Sequence, residues 1–164
     1  MPITTRVAKA SDLTAIVEIY NQAVVGRATA HLEPVTVADR QQWFDKHGAD
    51  YPLLVAVSGD TAVAWSSFSP YRPGRGALRH TAEISCYVHG AYHRQGIASA
   101  LIVHSLELCP SLEFKTLFAI LLDYNRASIA LLEKFGFEQW AYMPGVADFN
   151  GHEVGHLYYG RRIS

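Results

Sequence analysis

Cysteine is scarce in this chain, and so are long apolar runs, linkers and any excess of charge. Only Cys86 and Cys109 occur among the 164 residues. Two thiols outside a CxxC do not make a disulfide framework, so the reading is a cytoplasmic protein with reduced cysteines. No apolar stretch approaches the roughly 20 residues of a membrane span. The opening Met1-Pro2-Ile3-Thr4-Thr5-Arg6 lacks the apolar core of a signal peptide. With 14 Lys+Arg against 15 Asp+Glu the net charge is −1, which excludes a chain built to coat nucleic acid or an anionic membrane. No repeat, low-complexity tract or Pro/Gly/Ser-rich linker divides it. Residues 1–164 therefore read as a single domain, long enough to bury its own core.

What is present is apolar and unevenly charged. Hydrophobic residues make up 49%, which excludes disorder. From Thr61 to Leu106 the chain carries Arg72, Arg75, Arg79 and Arg94 but one carboxylate, Glu83. Local asymmetry of this kind points to a small anionic ligand.

Periodicity gives the element order. Ile3–Ala8 reads as a strand. Ser11-Asp12 offers caps for a helix to about Val25 with Leu13, Ile16, Val17, Tyr20 and Val24 on one face. Thr36 opens a second helix over Val37–His47. Leu53–Val57 and Ala62–Ser67 are strands joined at Ser58-Gly59-Asp60. Arg72–Gly76 is a loop by composition, and Leu78–Val88 is one long alternating strand. Gly96–Leu108 is helical up to Cys109-Pro110. Leu117–Leu122 is a buried strand, Arg126–Phe135 a helix ended by Gly136, and two last strands flank Asn150-Gly151. The sum is a single-domain α/β fold.

Two segments carry chemistry. Tyr92-His93-Arg94-Gln95-Gly96-Ile97-Ala98-Ser99 joins a strand end to a helix start. Unpaired N–H groups and the positive end of the helix dipole suit a pyrophosphate there. Gly96 and Ala98 permit close approach, and Arg94 adds charge. The loop is neither GxGxxG nor GxxxxGK[ST]. Asn125-Arg126-Ala127-Ser128 with Leu131 and Gly136-Phe137 is the second segment, in which Asn125 and Ser128 also suit a plain helix cap.

Taken in order, Glu83-Ile84-Ser85-Cys86-Tyr87-Val88, Arg94-Gln95-Gly96-Ile97-Ala98 and Asn125…Ser128…Leu131…Gly136-Phe137 resemble the GNAT superfamily of N-acetyltransferases. Ile19-Tyr20-Asn21, Glu33-Pro34-Val35-Thr36, Thr81-Ala82-Glu83 and Met143-Pro144-Gly145 resemble its phosphinothricin and methionine sulfoximine acetyltransferase branch, so the likeness runs nearly end to end. The resemblance implies a mixed, mostly antiparallel sheet flanked by helices, acetyl-CoA as cosubstrate without a metal, a small amine as substrate, and a homodimer. It places Cys86, Tyr87 and Val88 at the acetyl and pantetheine portion, Arg94, Gln95, Gly96, Ile97, Ala98 and Ser99 at the pyrophosphate, Asn125 at a further CoA contact, and Glu83 as general base. Glu33 falls in the segment that closes over the substrate. Two positions depart from the pattern. His93 stands where Gln or Arg is common, and Leu132 stands where relatives place a Tyr or His that protonates the leaving thiolate; that role is either empty here or filled elsewhere, for example by Tyr124 or Tyr142.

The chemistry is coherent on its own terms. An ammonium must lose a proton before it attacks a thioester. Glu83, alone among basic residues, would take it through a water if burial raised its pKa, whereas the arginines would pull that pKa down. A strand splaying after Ser85 would turn backbone N–H groups toward the thioester oxygen. Arg72 and Arg75 suit a carboxylate or phosphinate on the substrate. Two further readings stay open: a different small amine, such as another amino acid, a polyamine or an antibiotic, and an acetyl-CoA-binding module without turnover.

Two other signals lead elsewhere. His152-Glu153-Val154-Gly155-His156 matches HExxH, but Asn150-Gly151 before it and Leu157-Tyr158-Tyr159 after it read as strand. Four residues of strand span roughly 13 Å, too far for both imidazoles to reach one metal. Cys86 as an acetylated nucleophile lacks any triad spacing.

Overall fold

The computed structural model describes residues 1–163. One seven-stranded sheet runs through the molecule in the order β1-β2-β3-β4-β5-β7-β6. Its strands are β1 (Ile3–Val7), β2 (Leu53–Ser58), β3 (Thr61–Pro70), β4 (Thr81–Val88), β5 (Thr116–Leu122), β6 (Glu138–Phe149) and β7 (His152–Arg162). The helices are α1 (Leu13–Val25), α2 (Val37–Asp45), α3 (Ile97–Leu108) and α4 (Arg126–Lys134). Every strand pairing is antiparallel except β4 with β5, so the mostly antiparallel mixed sheet is as expected.

Local chemistry explains most boundaries. Thr36 caps α2 by accepting from the Asp39 N–H at 3.0 Å, while Asp39 accepts from the Thr36 N–H, a reciprocal pair that satisfies two orphan donors. Asp12 behaves differently from the expected cap. Its carboxylate pairs with Arg6 at 2.7 Å and accepts from the Lys9 N–H, tying β1 to the entry of α1. Burial works to raise the Asp12 pKa, but the Arg6 hydrogen bond and the Lys9 N–H outweigh it and hold the carboxyl below its usual range. The β2–β3 turn is the two residues Gly59-Asp60, with Gly59 at φ 61°. The strand expected from Leu78 begins instead at Thr81. Gly76–Leu78 is a 3-10 turn closed by the Arg79 N–H on the Gly76 carbonyl, and the His80 carbonyl is taken by the Lys115 and Thr116 N–H groups.

Alternation on the strands sorts the core onto two faces. Leu54, Ala56, Val63, Ala82 and Ile84 pack beneath α3 and α4. Leu53, Val55, Val57 and Trp65 pack beneath α1 and, at its edge, Trp43 and Phe44 of α2. α1 and α2 cover β2 and β3 on that second face. Over β5 and β7 it carries the rings of Phe118 and Tyr158, stacked at 6.2 Å between centroids.

Candidate active site

The sheet opens between its two parallel strands. β4 and β5 pair only at Thr81–Thr116, Ala82–Leu117 and Glu83–Phe118. Beyond Glu83 they diverge, two residues earlier than the splay expected after Ser85. β4 stays paired to β3 through Val88 and β5 to β7 through Leu122, so each strand follows its own half of the sheet. The polar backbone that faces the gap has no sheet partner there.

The gap is a slot of about 830 Å³. Ile84, Ser85, Cys86, Tyr87 and Val88 form one wall. Ala119, Ile120 and Leu121 of β5 form the other, with Asn125, Ser128, Leu131 and Leu132 of α4 behind them. The mouth carries Arg94, Gly96, Ile97, Ala98 and Ser99 at the start of α3. Gly96 is the N-cap of α3 at φ 76°, a left-handed conformation that costs glycine little. Arg94 also adopts positive φ, 62°. These two left-handed residues, at 94 and 96, turn the chain into α3, whose first N–H groups have no partner within the helix. No carboxylate among the described residues pairs with Arg94.

Several residues take places that sequence reasoning did not assign. His93 donates from Nε2 to the Val88 carbonyl, 2.9 Å away, and so latches the loop back onto the strand it leaves. Gln95 does not line the slot; its amide reaches the Ala91 carbonyl at 3.4 Å. The end of α1 contributes Gln22, Ala23 and Gly26 to the slot, and Gln22 Oε1 accepts from the Gly90 N–H at 2.8 Å. Nothing in the periodicity of α1 marks these, because they lie off its apolar stripe. Asn125 is the N-cap of α4, its Oδ1 accepting from the Ser128 N–H at 3.2 Å, and it also borders the slot.

Glu83 is the last residue of the ladder; it does not itself line the slot but precedes Ile84, the first β4 residue that does. Strand alternation puts it on the face opposite Ile84, with Ser85 and Tyr87 and in register with Phe118. Burial alone pushes its pKa up. The arginines expected to oppose that shift do not act on it. Arg72 and Arg75 are exposed on the β3–β4 loop and border no part of the slot. That loop nevertheless begins right after Pro70, which pairs with Ala82, so it adjoins the Glu83 end and not the α3 end.

Leu132 is buried and lines the slot, which leaves no ionisable group at that position. Neither substitute expected for it reaches the slot. Tyr124 donates to the Arg27 carbonyl, and Tyr142 donates to Asp123 at 3.2 Å. Cys86 faces α3, and burial pushes its thiol up to about 12, which makes it inert as a nucleophile at neutral pH. His152 and His156 lie on strand β7, a geometry that separates the two imidazoles.

A diverging strand pair with a helix N-terminus at its mouth forms a slot, and a half-buried carboxylate lies next to its first strand residue. The chain is similar to known proteins. Residues 13–137 match the family model described as acetyltransferase (GNAT) family. A Bacillus subtilis protein named "Putative phosphinothricin acetyltransferase YwnH" is 38% identical over 99% of this chain and 100% of its own length. An L-methionine sulfoximine/L-methionine sulfone acetyltransferase of Pseudomonas aeruginosa is 35% identical over 89% of this chain and 86% of its own. The crystal structure of a GNAT superfamily phosphinothricin acetyltransferase from Sinorhizobium meliloti in complex with AcCoA superposes with a TM-score of 0.91 at 28% identity, covering 99% of this chain and 89% of that one.

Proposed function

The chain belongs to the acetyltransferase (GNAT) family and is an acetyl-CoA-dependent N-acetyltransferase; from that premise we propose that it acetylates the α-amino group of a small amino-acid analogue of the phosphinothricin or methionine sulfoximine type, by direct transfer. The observation that carries this reading is the order along the slot: helix N-terminus at the mouth, unpaired strand along the wall, and a raised carboxylate one residue before the first lining residue of β4.

The residues present fit acetyl-CoA. Arg94 and the N–H groups of Gly96, Ile97, Ala98 and Ser99 offer charge and donors to a pyrophosphate, with Gln95 holding the turn. The backbone of Cys86, Tyr87 and Val88 matches the amide-bearing pantetheine arm, and Asn125 adds a polar contact from α4. Glu83 takes the ammonium proton through a water, and its raised pKa moves it toward the range a base needs. Unpaired N–H groups beyond Glu83 stabilise charge on the thioester oxygen. Arg72 and Arg75, on a loop that adjoins the Glu83 end, serve the anionic group of the substrate. The inert Cys86 supports direct transfer over a covalent route.

The chain acts as a homodimer in this reading. β6 is an edge strand whose residues are almost all exposed, and Trp140, Tyr142, Met143 and Val146 present an apolar outer strip. An edge of that kind is covered by a second strand or by another copy. Free Cys86 and Cys109 and the need for acetyl-CoA agree with a cytoplasmic site.

A panel of amines assayed for CoA release tests the proposal. Phosphinothricin and methionine sulfoximine should give the highest kcat/KM, with the product acetylated at the α-nitrogen by NMR. A polyamine or antibiotic that outperforms both overturns the substrate assignment, and binding of acetyl-CoA without turnover on any amine overturns catalysis of this class.

A further inference from the structure

The mouth of the slot holds a second cation besides Arg94. Lys134 is exposed and is the last residue of α4. A cation in the last turn of a helix is expected to settle against the free carbonyls there. The Lys134 ammonium crosses instead to the other helix of the mouth. Its Nζ donates to Ser99 Oγ at 3.2 Å and lies 5.5 Å from the centre of the Phe135 ring. Ser99 is in the first turn of α3 and borders the slot. No carboxylate among the described residues pairs with Lys134. The neighbouring Glu133 is engaged by the Tyr159 hydroxyl, 3.3 Å from its Oε1. A hydroxyl and a ring face are weak partners for a full charge. The ammonium is therefore positioned at the mouth without being neutralised there.

CoA brings two kinds of anion to such a mouth: a pyrophosphate, and a phosphomonoester on the 3′ carbon of its ribose. The phosphomonoester carries about two negative charges at neutral pH. Arg94 and the N–H groups from Gly96 to Ser99 suit the pyrophosphate. Arg94 precedes that row of donors, and Lys134 meets its last member, so two cations bracket it. We propose that Lys134 holds the 3′-phosphate of CoA and makes the chain select CoA over 3′-dephospho-CoA. The inference rests on the reading of the slot as the acetyl-CoA site. An ammonium has three donors, so Lys134 keeps Ser99 with one and gives another to a phosphate oxygen, a charge-assisted bond. Its part is in affinity for the cosubstrate and not in the transfer step.

Calorimetric titration with CoA and with 3′-dephospho-CoA reads the contact directly, because the two ligands differ only in that phosphate. The wild-type chain should bind CoA about tenfold more tightly than the dephospho form. In Lys134→Met the affinity for CoA should fall to that for dephospho-CoA, while dephospho-CoA itself stays within about twofold of its wild-type affinity. Lys134→Arg keeps the charge and should keep most of the preference. Equal affinities in the wild type overturn the proposal. So does an equal loss of both ligands in Lys134→Met, which marks a pyrophosphate contact or a packing role. If neither ligand binds the wild type, the acetyl-CoA reading of the slot has failed and takes this inference with it, a pattern distinct from a failure of Lys134 alone.

Discussion

Glu83 shows what one position costs and does. Its carboxyl is raised by burial alone, so the folded chain binds that proton more tightly than the unfolded chain. The resulting stability is fully present below the unfolded pKa and is lost as pH rises through the folded value. In the proposed mechanism activity runs the other way, since a base works only when ionised. Glu83→Gln should therefore lower kcat about 100-fold or more, and at neutral pH its melting temperature should equal or exceed that of the wild type, with the difference closing in acid. A variant both inactive and markedly less stable at neutral pH would show that Glu83 is structural. As a candidate this residue was legible from its isolation among arginines and from the family resemblance. Its electrostatics were not, because chain proximity of Arg72 and Arg75 says nothing of where their side chains end; both lie exposed. Leu132 was equally legible as a departure, whereas the positions of Tyr124 and Tyr142 outside the slot depend on which loops their hydroxyls reach.

At the scale of elements, patterning located every strand and helix, and the disagreements fall at ends. Thr36, Asn125 and the Asn150-Gly151 turn act as local chemistry dictates. Leu78–His80 reads as strand by alternation but is claimed by a turn and by a partner segment from Lys115–Thr116, a tertiary competition invisible in one stretch of chain. The same holds for the splay, which is set by how far β5 follows β7. The left-handed Gly96 is an element-end feature with a direct readout. Gly96→Ala meets no atom within 4 Å, so its cost in the free protein is backbone strain of about 1–2 kcal/mol. The added methyl projects beside the donors of α3, and KM for acetyl-CoA should rise about tenfold or more while kcat at saturation changes little. An unchanged KM would remove this helix start from cosubstrate binding.

For the whole molecule, the slot couples binding to stability. A ligand held only by the folded chain adds about 2.7 kcal/mol when present at 100 times its Kd. For a domain of this size each kcal/mol is worth roughly 2–4 °C. Acetyl-CoA at that excess should raise the melting temperature by roughly 5–10 °C, and CoA should do nearly as well; a shift with neither would place the cosubstrate elsewhere. The uneven charge map acquires its meaning at this scale too. Arg94 lies at one end of the slot, and Arg72 and Arg75 on a loop near the other, so in the proposed mechanism one basic window would serve two anions, one on each side of Glu83.

The three pairs that join β4 to β5 have a mechanical consequence. The molecule is two half-sheets held at a short seam, one built on β1–β4 and the other on β5–β7. A cosubstrate seated in the gap touches both and supplies polar groups where rungs of the ladder are missing. In the proposed binding mode acetyl-CoA is a temporary strand as well as a reactant, one that stitches the sheet together on binding and unpicks it on release.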